Sequence, residues 1–384
     1  MNALERTFDI PTELVQDIEF ESVRRWKAVS PRRKVIGYFP VYTPVEIVHA
    51  AGMLPVCIAG AGDRLDLQHA DSRFGSFICS IVKTTLELGM TGRLEPFDAV
   101  LFSTICDSAR NLCFVMKRNF PAQSFEFLHL PHSTSESSID FLTQEYRRLI
   151  AELERLGGIT VSDDALRSSI ARYNRQRALV REIYSLRVQS PHLLRAAESY
   201  VLLRAGLRMP VEDHIAMLEE ALPQIRQRSG KKRDAIRVVI EGSFCEQPPL
   251  PLIRVLEAAG CDVVDDDFAL AQRWFPADLP LEPDPARTLA EHYVKHAAYS
   301  SVRHDAAHPR CDGLVEKIKR ARADAVIFLI AKFCEPAYFD YVLFKKAVDD
   351  LGLPSLQLEF EEKLFTFERL QTEIETFVES LIFD

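Results

Sequence analysis

The chain has 384 residues, 47% of them hydrophobic and 27% charged, which is typical of a globular protein with room for two or three domains. The net charge of −9 argues against the basic surface of a nucleic-acid-binding protein. No apolar run approaches the roughly 20 residues that cross a bilayer, and the N-terminus does not resemble a signal peptide. We therefore expect a cytoplasmic protein without nucleic-acid or membrane partners, whose cysteines are thiols, core residues or metal ligands.

The first third of the chain alternates strand and helix patterns. Residues 1–30 have a helical pattern, and residues 31–133 are the first predicted α/β domain. Its predicted strands are KVIGYF, MLPVCIAG, FDAVLFSTI and SFEFLHL. In the first helix, Thr43 is a predicted N-cap, Pro44 suits the first turn, and Glu46 stands where a capping box needs a carboxylate. This alternation predicts a mainly parallel sheet.

The remainder of the chain repeats this pattern after a helical region. Residues 134–234 show apolar positions at helical spacing, with Ser162 as a predicted cap. Strands return over residues 235–384 as IRVVIEGSF, CDVVDDDF, ADAVIFLIAKF and PSLQLEF, before a final amphipathic helix. The predicted fold class is α/β, with two Rossmann- or flavodoxin-like parallel-sheet domains, a helical insert, and a site in the cleft between the domains.

Two distant segments place a cysteine at the same kind of junction. DAVLFSTICDSAR and DAVIFLIAKFCEPAY both run through a predicted strand to a cysteine, Cys106 or Cys334, and continue as a helix; Cys79 begins another predicted helix. Strand ends and helix N-termini favour ligands and thiolates. Three thiolates from two domains can hold a metal or an iron–sulfur cluster. Free cysteines are also often core residues, and because no CxxC spacing is present both interpretations stay open.

The other cysteines differ in context. Cys245 follows a strand of the second unit and is directed at the same cleft, as a candidate fourth thiol or a residue beside the substrate. Three cysteines within strand or helix patterns are predicted to pack in the core: Cys57, Cys113 and Cys261. Cys311, in HPRCDG, is predicted to be exposed in a polar loop.

Taken together, several segments resemble the 2-hydroxyacyl-CoA dehydratase D-component and benzoyl-CoA reductase family. The likeness covers nearly the whole chain and includes GYFPVYTPVEIVHAAGMLPV, FICSIVKTTLE, STICDSARNL, ARYNRQRALVREIY, VIEGSFCEQPPLPLIRVLEAAGCDVVDDDF, AKFCEPAYFDY and GLPSLQLEFE. The resemblance implies that Cys79, Cys106 and Cys334 bind one [4Fe–4S] cluster.

GSFCEQPP and DDDF look most like one branch of that family, the cluster-bearing gamma (C) subunit of ATP-dependent benzoyl-CoA reductases. This resemblance implies delivery of low-potential single electrons from reduced ferredoxin to the aromatic ring of benzoyl-CoA, giving a cyclic dienoyl-CoA in anaerobic degradation. It also implies a second cluster-bearing homologous subunit, two ATPase activator subunits that carry ATP and a further cluster, and an acyl-CoA substrate.

Three alternatives stay open. One is a subunit of an (R)-2-hydroxyacyl-CoA dehydratase, which would use the same cluster and ketyl-radical chemistry without net reduction. Another is a two-lobed binding protein without catalytic activity, its cysteines in the core. The third is a zinc site at the three thiols.

The remaining polar residues have local interpretations. Asp107 and Glu335, each directly after a cysteine, are predicted helix caps, with tuning of the implied cluster as the alternative. His49 is predicted to be a satisfied core histidine. Asn174 and Arg177 are predicted to make structural contacts.

One loop and one acidic stretch complete the candidates. His304 is, with Cys245, a candidate catalytic residue, and the neighbouring Arg303 and Arg310 would meet CoA phosphates or stay solvated. The acidic residues 265–267 are predicted to form a solvated turn, with a magnesium site as the alternative.

Overall fold

The computed structural model describes residues 3–121, 123–242, 245–268, 276–297, 305, 307–361 and 367–383. Within them, none of the helices is both long and apolar enough to span a bilayer.

The first sheet contains four parallel strands in the order β2-β1-β3-β4. All residues of the first three strands are buried, as expected of a parallel sheet covered on both faces. The strands are β1 (Val35–Phe39), β2 (Leu54–Cys57), β3 (Ala99–Ser103) and β4 (Ser124–Leu128).

The second sheet repeats this topology with the parallel order β6-β5-β7-β8. Its strands are β5 (Ile236–Glu241), β6 (Cys261–Asp265), β7 (Ala325–Ala331) and β8 (Ser355–Phe360). Both orders correspond to the flavodoxin-like arrangement, in which the first strand lies between the second and the third. The predicted α/β class with two such sheets is confirmed.

The helices group around the two sheets. The N-terminal part and the first lobe, which contains β1–β4, have α1 (Ala3–Gln16), α2 (Glu21–Ala28), α3 (Val45–Ala50), α4 (Ser80–Met90) and α5 (Asp107–Asn119). Between the sheets are α6 (Glu136–Gly157), α7 (Asp163–Gln189), α8 (Ala196–Ala205) and α9 (Val211–Arg226). The second lobe, which contains β5–β8, has α10 (Leu250–Ala258), α11 (Pro285–His296), α12 (Arg310–Ala321), α13 (Glu335–Asp350) and α14 (Glu368–Phe383).

The N-terminal helical pattern is divided into α1 and α2. Phe20, directly before α2, has a left-handed backbone with φ 55°, which interrupts a continuous helix. One cluster of buried side chains packs against both sheets, and we propose domain limits at residues 31–133 and 235–384 around the helical region.

Helix α3 is anchored to α7 and does not have the predicted capping box. Pro44, and not Thr43, stands at its N-cap position, and no side chain caps the helix. The Glu46 carboxylate instead accepts a hydrogen bond from Arg177 at 2.6 Å, with both side chains buried. In this hydrogen bond both the donor and the acceptor carry a full charge. Asn174 also donates to a backbone carbonyl, at 2.8 Å, so the predicted structural contacts of Asn174 and Arg177 are confirmed.

The other end of α7 is anchored to the second lobe. Arg187 donates to a carboxylate oxygen of Asp266 at 2.5 Å and to the carbonyl of Val263 at 2.7 Å. Tyr184 donates its hydroxyl to the other Asp266 oxygen at 2.6 Å. The prediction of a solvated turn at residues 265–267 is wrong for Asp265, which is buried at the end of β6. It is also wrong for Asp266, whose side chain is only 1% exposed, because a guanidinium from α7 compensates its charge.

Loss of Arg187 would leave the Asp266 carboxylate buried without an opposite charge. We expect Arg187→Met to lower the free energy of unfolding by about 3–5 kcal/mol in chemical denaturation. Arg155→Met, which breaks an exposed pair with Glu152 on α6, is the control and should have a far smaller effect. Equal losses in the two variants would contradict the role of this pair.

Candidate functional site

Three cysteines stand at the N-cap positions of three helices. Cys79 precedes α4, Cys106 precedes α5 and Cys334 precedes α13. Cys106 and Cys334 follow β3 and β7, which occupy the same place in the two sheets. The Cys106 sulfur accepts a hydrogen bond from the N–H of Ala109 at 3.4 Å. The structure therefore has each cysteine at the strand-to-helix or helix-start position that the sequence predicts.

These three cysteines line one pocket, whose walls come from both lobes. All three are free thiols, and the pocket contains about 340 Å³ of space, its open mouth included. The rest of its lining is mainly apolar: Phe39, Ile81, Val82, Ile105 and Pro336. The fold thus brings together three thiols that are separated by up to 255 residues in sequence (334 − 79).

The pocket disfavours negative charge on its own thiols. Burial raises the pKa of Cys79 well above its usual value, and the nearby Glu246, Cys334 and Cys106 raise it further. Burial also raises the pKa of Cys106, against the lowering effect of backbone N–H groups at the start of α5. Three thiolates here require a compensating cation, and a metal centre among them would supply that charge.

Cys245 lies on the wall of the same pocket, as its position after β5 predicts, and it is 7% exposed. The residue after it, Glu246, was not predicted as part of the site. Its carboxylate accepts hydrogen bonds from the Ile81 N–H at 3.1 Å and from the Ser80 hydroxyl. A carboxylate of the second lobe therefore caps α4 beside Cys79 in the first lobe. In the sequence, the one feature that could have identified Glu246 as a site residue is its position directly after the candidate Cys245.

Two predicted caps are wrong. Asp107 and Glu335 are the first residues inside α5 and α13, and the preceding cysteines occupy the N-cap positions. In α5 the cysteine sulfur itself accepts the backbone N–H that a capping carboxylate would take. Both acidic residues still lie in first turns, where the helix dipole favours them.

The segment around Cys311 also differs from its prediction. Cys311 lies inside α12 and is half-buried, because Pro309 starts a helix there in place of a polar loop. Arg310 forms an ion pair with Asp340, so its charge is compensated within the chain. His304, like its neighbour Arg303, lies outside the described residues.

The predicted core cysteines are confirmed. Cys57, Cys113 and Cys261 are buried, and burial raises their pKa values to about 11, 11 and 12. The ring nitrogens of His49 lie 2.8 Å from the Ser169 hydroxyl and 3.1 Å from the Glu212 carboxylate. The prediction for His49 is therefore confirmed as to its hydrogen bonds but wrong as to its place in the core, because the side chain is half-buried and 25% exposed.

Single-ion sites are absent from the part of the chain that the structure describes. No group of three or more His, Cys, Asp or Glu side chains there could hold one metal ion. Among the acidic residues 265–267, Asp265 pairs with Arg320 at 2.9 Å, so its charge is compensated within the chain.

Removal of the Glu246 carboxylate would leave the Ile81 N–H and the Ser80 hydroxyl, at the start of α4, without this acceptor. We expect Glu246→Ala to lower the free energy of unfolding by about 1–3 kcal/mol and to accelerate amide hydrogen exchange at Ile81. Glu246→Gln, which retains one acceptor oxygen, should have a smaller effect. The surface variant Glu373→Ala, which breaks a pair with Arg369, is the control. Unchanged exchange at Ile81 in Glu246→Ala would disprove the capping role.

Comparison with known proteins assigns the chain to a family. The family model described as "2-hydroxyglutaryl-CoA dehydratase, D-component" matches residues 40–381. The C subunit of benzoyl-CoA reductase from Thauera aromatica is 36% identical over 96% of both chains. Lactoyl-CoA dehydratase subunit beta of Anaerotignum propionicum is 30% identical, over 90% of this chain and 91% of the relative. The (R)-2-hydroxyglutaryl-CoA dehydratase subunit beta of Acidaminococcus fermentans is 27% identical, over 91% and 93%. The chain therefore belongs to the 2-hydroxyglutaryl-CoA dehydratase D-component family, whose members include subunits of benzoyl-CoA reductase and of hydroxyacyl-CoA dehydratases.

Proposed function

We propose that this chain is the iron–sulfur subunit of an ATP-dependent benzoyl-CoA reductase, and that Cys79, Cys106 and Cys334 bind one [4Fe–4S] cluster. The observation that carries the proposal is that three N-cap cysteines from both lobes line one pocket. The 36% identity to a benzoyl-CoA reductase subunit, against 30% to a lactoyl-CoA dehydratase subunit, favours the reductase.

The arrangement of donors suits a cluster better than a zinc ion. Tetrahedral zinc with Zn–S bonds of about 2.3 Å needs its sulfurs within about 4 Å of each other. No group of three described ligand side chains could hold a single ion. A [4Fe–4S] cluster takes one thiolate per iron, so its cysteines stand further apart.

When bound, such a cluster would supply single low-potential electrons. The residues of the pocket would serve it in three ways. The positive ends of α4, α5 and α13 stabilise the negative charge of the thiolates. The mainly apolar lining offers few hydrogen-bond partners to water. The buried Cys245 is available as a fourth thiol or as a residue beside the substrate.

The proposed enzyme needs partners for the steps that this chain does not perform. A second cluster-bearing homologous subunit would complete the site for the acyl-CoA. Two activator subunits with their own cluster would hydrolyse the ATP, as the family resemblance implies. This division fits the segment SGKK at residues 229–232, where the earlier glycine of a P-loop and the Ser or Thr after its lysine are both missing. Reduced ferredoxin would supply the electrons, and we place the reaction in the cytoplasm.

Metal content tests the cluster site directly. Purified strictly without oxygen, the chain should be brown and contain about four irons and four acid-labile sulfides. Cys79→Ser, Cys106→Ser and Cys334→Ser should each lose most of the iron and the visible absorption. Cys113→Ser, at a buried cysteine outside the pocket, is the matched control and should retain both. A colourless, folded protein that is indifferent to the three substitutions would overturn the cluster assignment.

Electron stoichiometry distinguishes the reductase from the dehydratase. Combined with its partner subunits, a benzoyl-CoA reductase should consume two electrons per dienoyl-CoA formed. A 2-hydroxyacyl-CoA dehydratase needs only catalytic amounts of electrons, because its reaction has no net reduction. The measurement is ferredoxin oxidised per product, with benzoyl-CoA and an (R)-2-hydroxyacyl-CoA as parallel substrates. Many turnovers of the hydroxyacyl-CoA per electron, without reduction of benzoyl-CoA, would replace the reductase with the dehydratase.

A further inference from the structure

A second and larger cavity adjoins the cysteine pocket. It contains about 820 Å³ of space, its open mouth included, against about 340 Å³ for the cysteine pocket measured in the same way. Glu246 lines the cysteine pocket, and the next residue, Gln247, lines the larger cavity and is 4% exposed. Because consecutive Cα atoms are about 3.8 Å apart, one short stretch of chain forms a wall of both spaces.

The charge of this cavity is opposite to that of the whole chain. Three arginines line it, Arg64, Arg204 and Arg208, whereas Asp63 is the one acidic residue among its described lining residues. The net charge of the chain is −9. A local excess of guanidinium groups in a concave space attracts anions, above all phosphates, which guanidinium groups bind in a bidentate manner.

Of the three arginines, Arg208 gives the strongest indication of an anionic ligand. It is 7% exposed, donates to the carbonyl of Asp17 at 2.8 Å, and lies over the ring of Phe20 at 4.8 Å. In the part of the chain that the structure describes, no carboxylate forms an ion pair with it. Burial lowers its pKa below the usual arginine value. A buried positive charge without a counter-ion is costly, and an anionic ligand would offset that cost.

The other elements around the cavity fit a ligand with both phosphate and apolar parts. The loop after β2 lines it with Gly60 and Gly62, both at positive φ, and such strand ends are where open α/β sheets bind ligands. The first turn of α10 also lines it, and the positive end of a helix favours phosphate. Tyr200 and Phe367 add aromatic surface.

We propose that this cavity binds the phosphate groups of a nucleotide-like ligand through Arg64, Arg204 and Arg208. Coenzyme A and adenine nucleotides share this chemistry. Coenzyme A as the ligand, with its acyl group directed toward the cysteine pocket, is the one version that rests on the proposed function. The phosphate site itself does not depend on a cluster.

Calorimetric titration of the full chain, purified without oxygen, tests the site with pyrophosphate, coenzyme A and ATP as separate probes. We expect saturable binding that weakens as salt is added. Arg64→Gln and Arg204→Gln should each raise the Kd about tenfold. Arg155→Gln removes the same charge from the exposed surface of α6 and should leave the Kd unchanged. Arg64 is exposed, so its replacement should not disturb folding; thermal unfolding checks this.

The three probes identify the source of the phosphates. Tighter binding of coenzyme A than of ATP assigns the cavity to the acyl carrier, and the reverse assigns it to a nucleotide; either result supports a phosphate site. No saturable binding at millimolar concentration, or an equal loss in Arg155→Gln, overturns it. The triple variant Cys79→Ser/Cys106→Ser/Cys334→Ser should bind pyrophosphate as the parent does. The cluster proposal, which is tested by iron content, and the phosphate-site proposal, which is tested by pyrophosphate binding, can therefore be rejected independently of each other.

Discussion

Helix α7 carries the two buried ion pairs on which the arrangement of the lobes depends. Arg177 pairs with Glu46 of the first lobe, and Arg187 pairs with Asp266 of the second. The two arginines are ten positions apart, which corresponds to about 15 Å along the helix. Buried ion pairs add little net stability, yet any arrangement that separates them leaves an uncompensated charge in the interior. The pairs therefore restrict how the two sheets are placed, and a pocket lined from both lobes requires that placement.

The repeated sheet topology explains why two cysteines stand at equivalent junctions. In each sheet the third strand of the lobe pairs with the first, and the chain then turns into a helix. The turn after β3 brings Cys106 to a helix start, and the turn after β7 does the same for Cys334. Helix starts offer unpaired N–H groups and a positive dipole end. A duplicated unit thus presents two thiols in the same chemical environment, and Cys79 adds a third from the start of α4.

The segment Cys245–Gln247 connects the cysteine pocket with the arginine-lined cavity. Within three residues it contributes a thiol to the pocket, a carboxylate that caps α4, and an amide to the cavity wall. The cap joins the second lobe to the helix that begins after Cys79. A ligand in the cavity would therefore contact a chain segment that also supports a proposed cluster ligand.

Local patterns in the amino-acid sequence were sufficient for the strands, most of the helices and the helix-start positions of the three cysteines, because periodicity and turn residues act over a few positions. Contacts between distant residues were not predictable in this way. Glu46 was expected to cap its own helix, but its partner is 131 positions away; Asp266 was expected in solvent, but its partner is 79 positions away. Glu246 and the Ile81 N–H are 165 positions apart. Packing between distant elements decides which carboxylates are buried, which lobe caps which helix, and where arginines collect around a cavity. Local sequence patterns do not determine this packing, because they act over only a few positions.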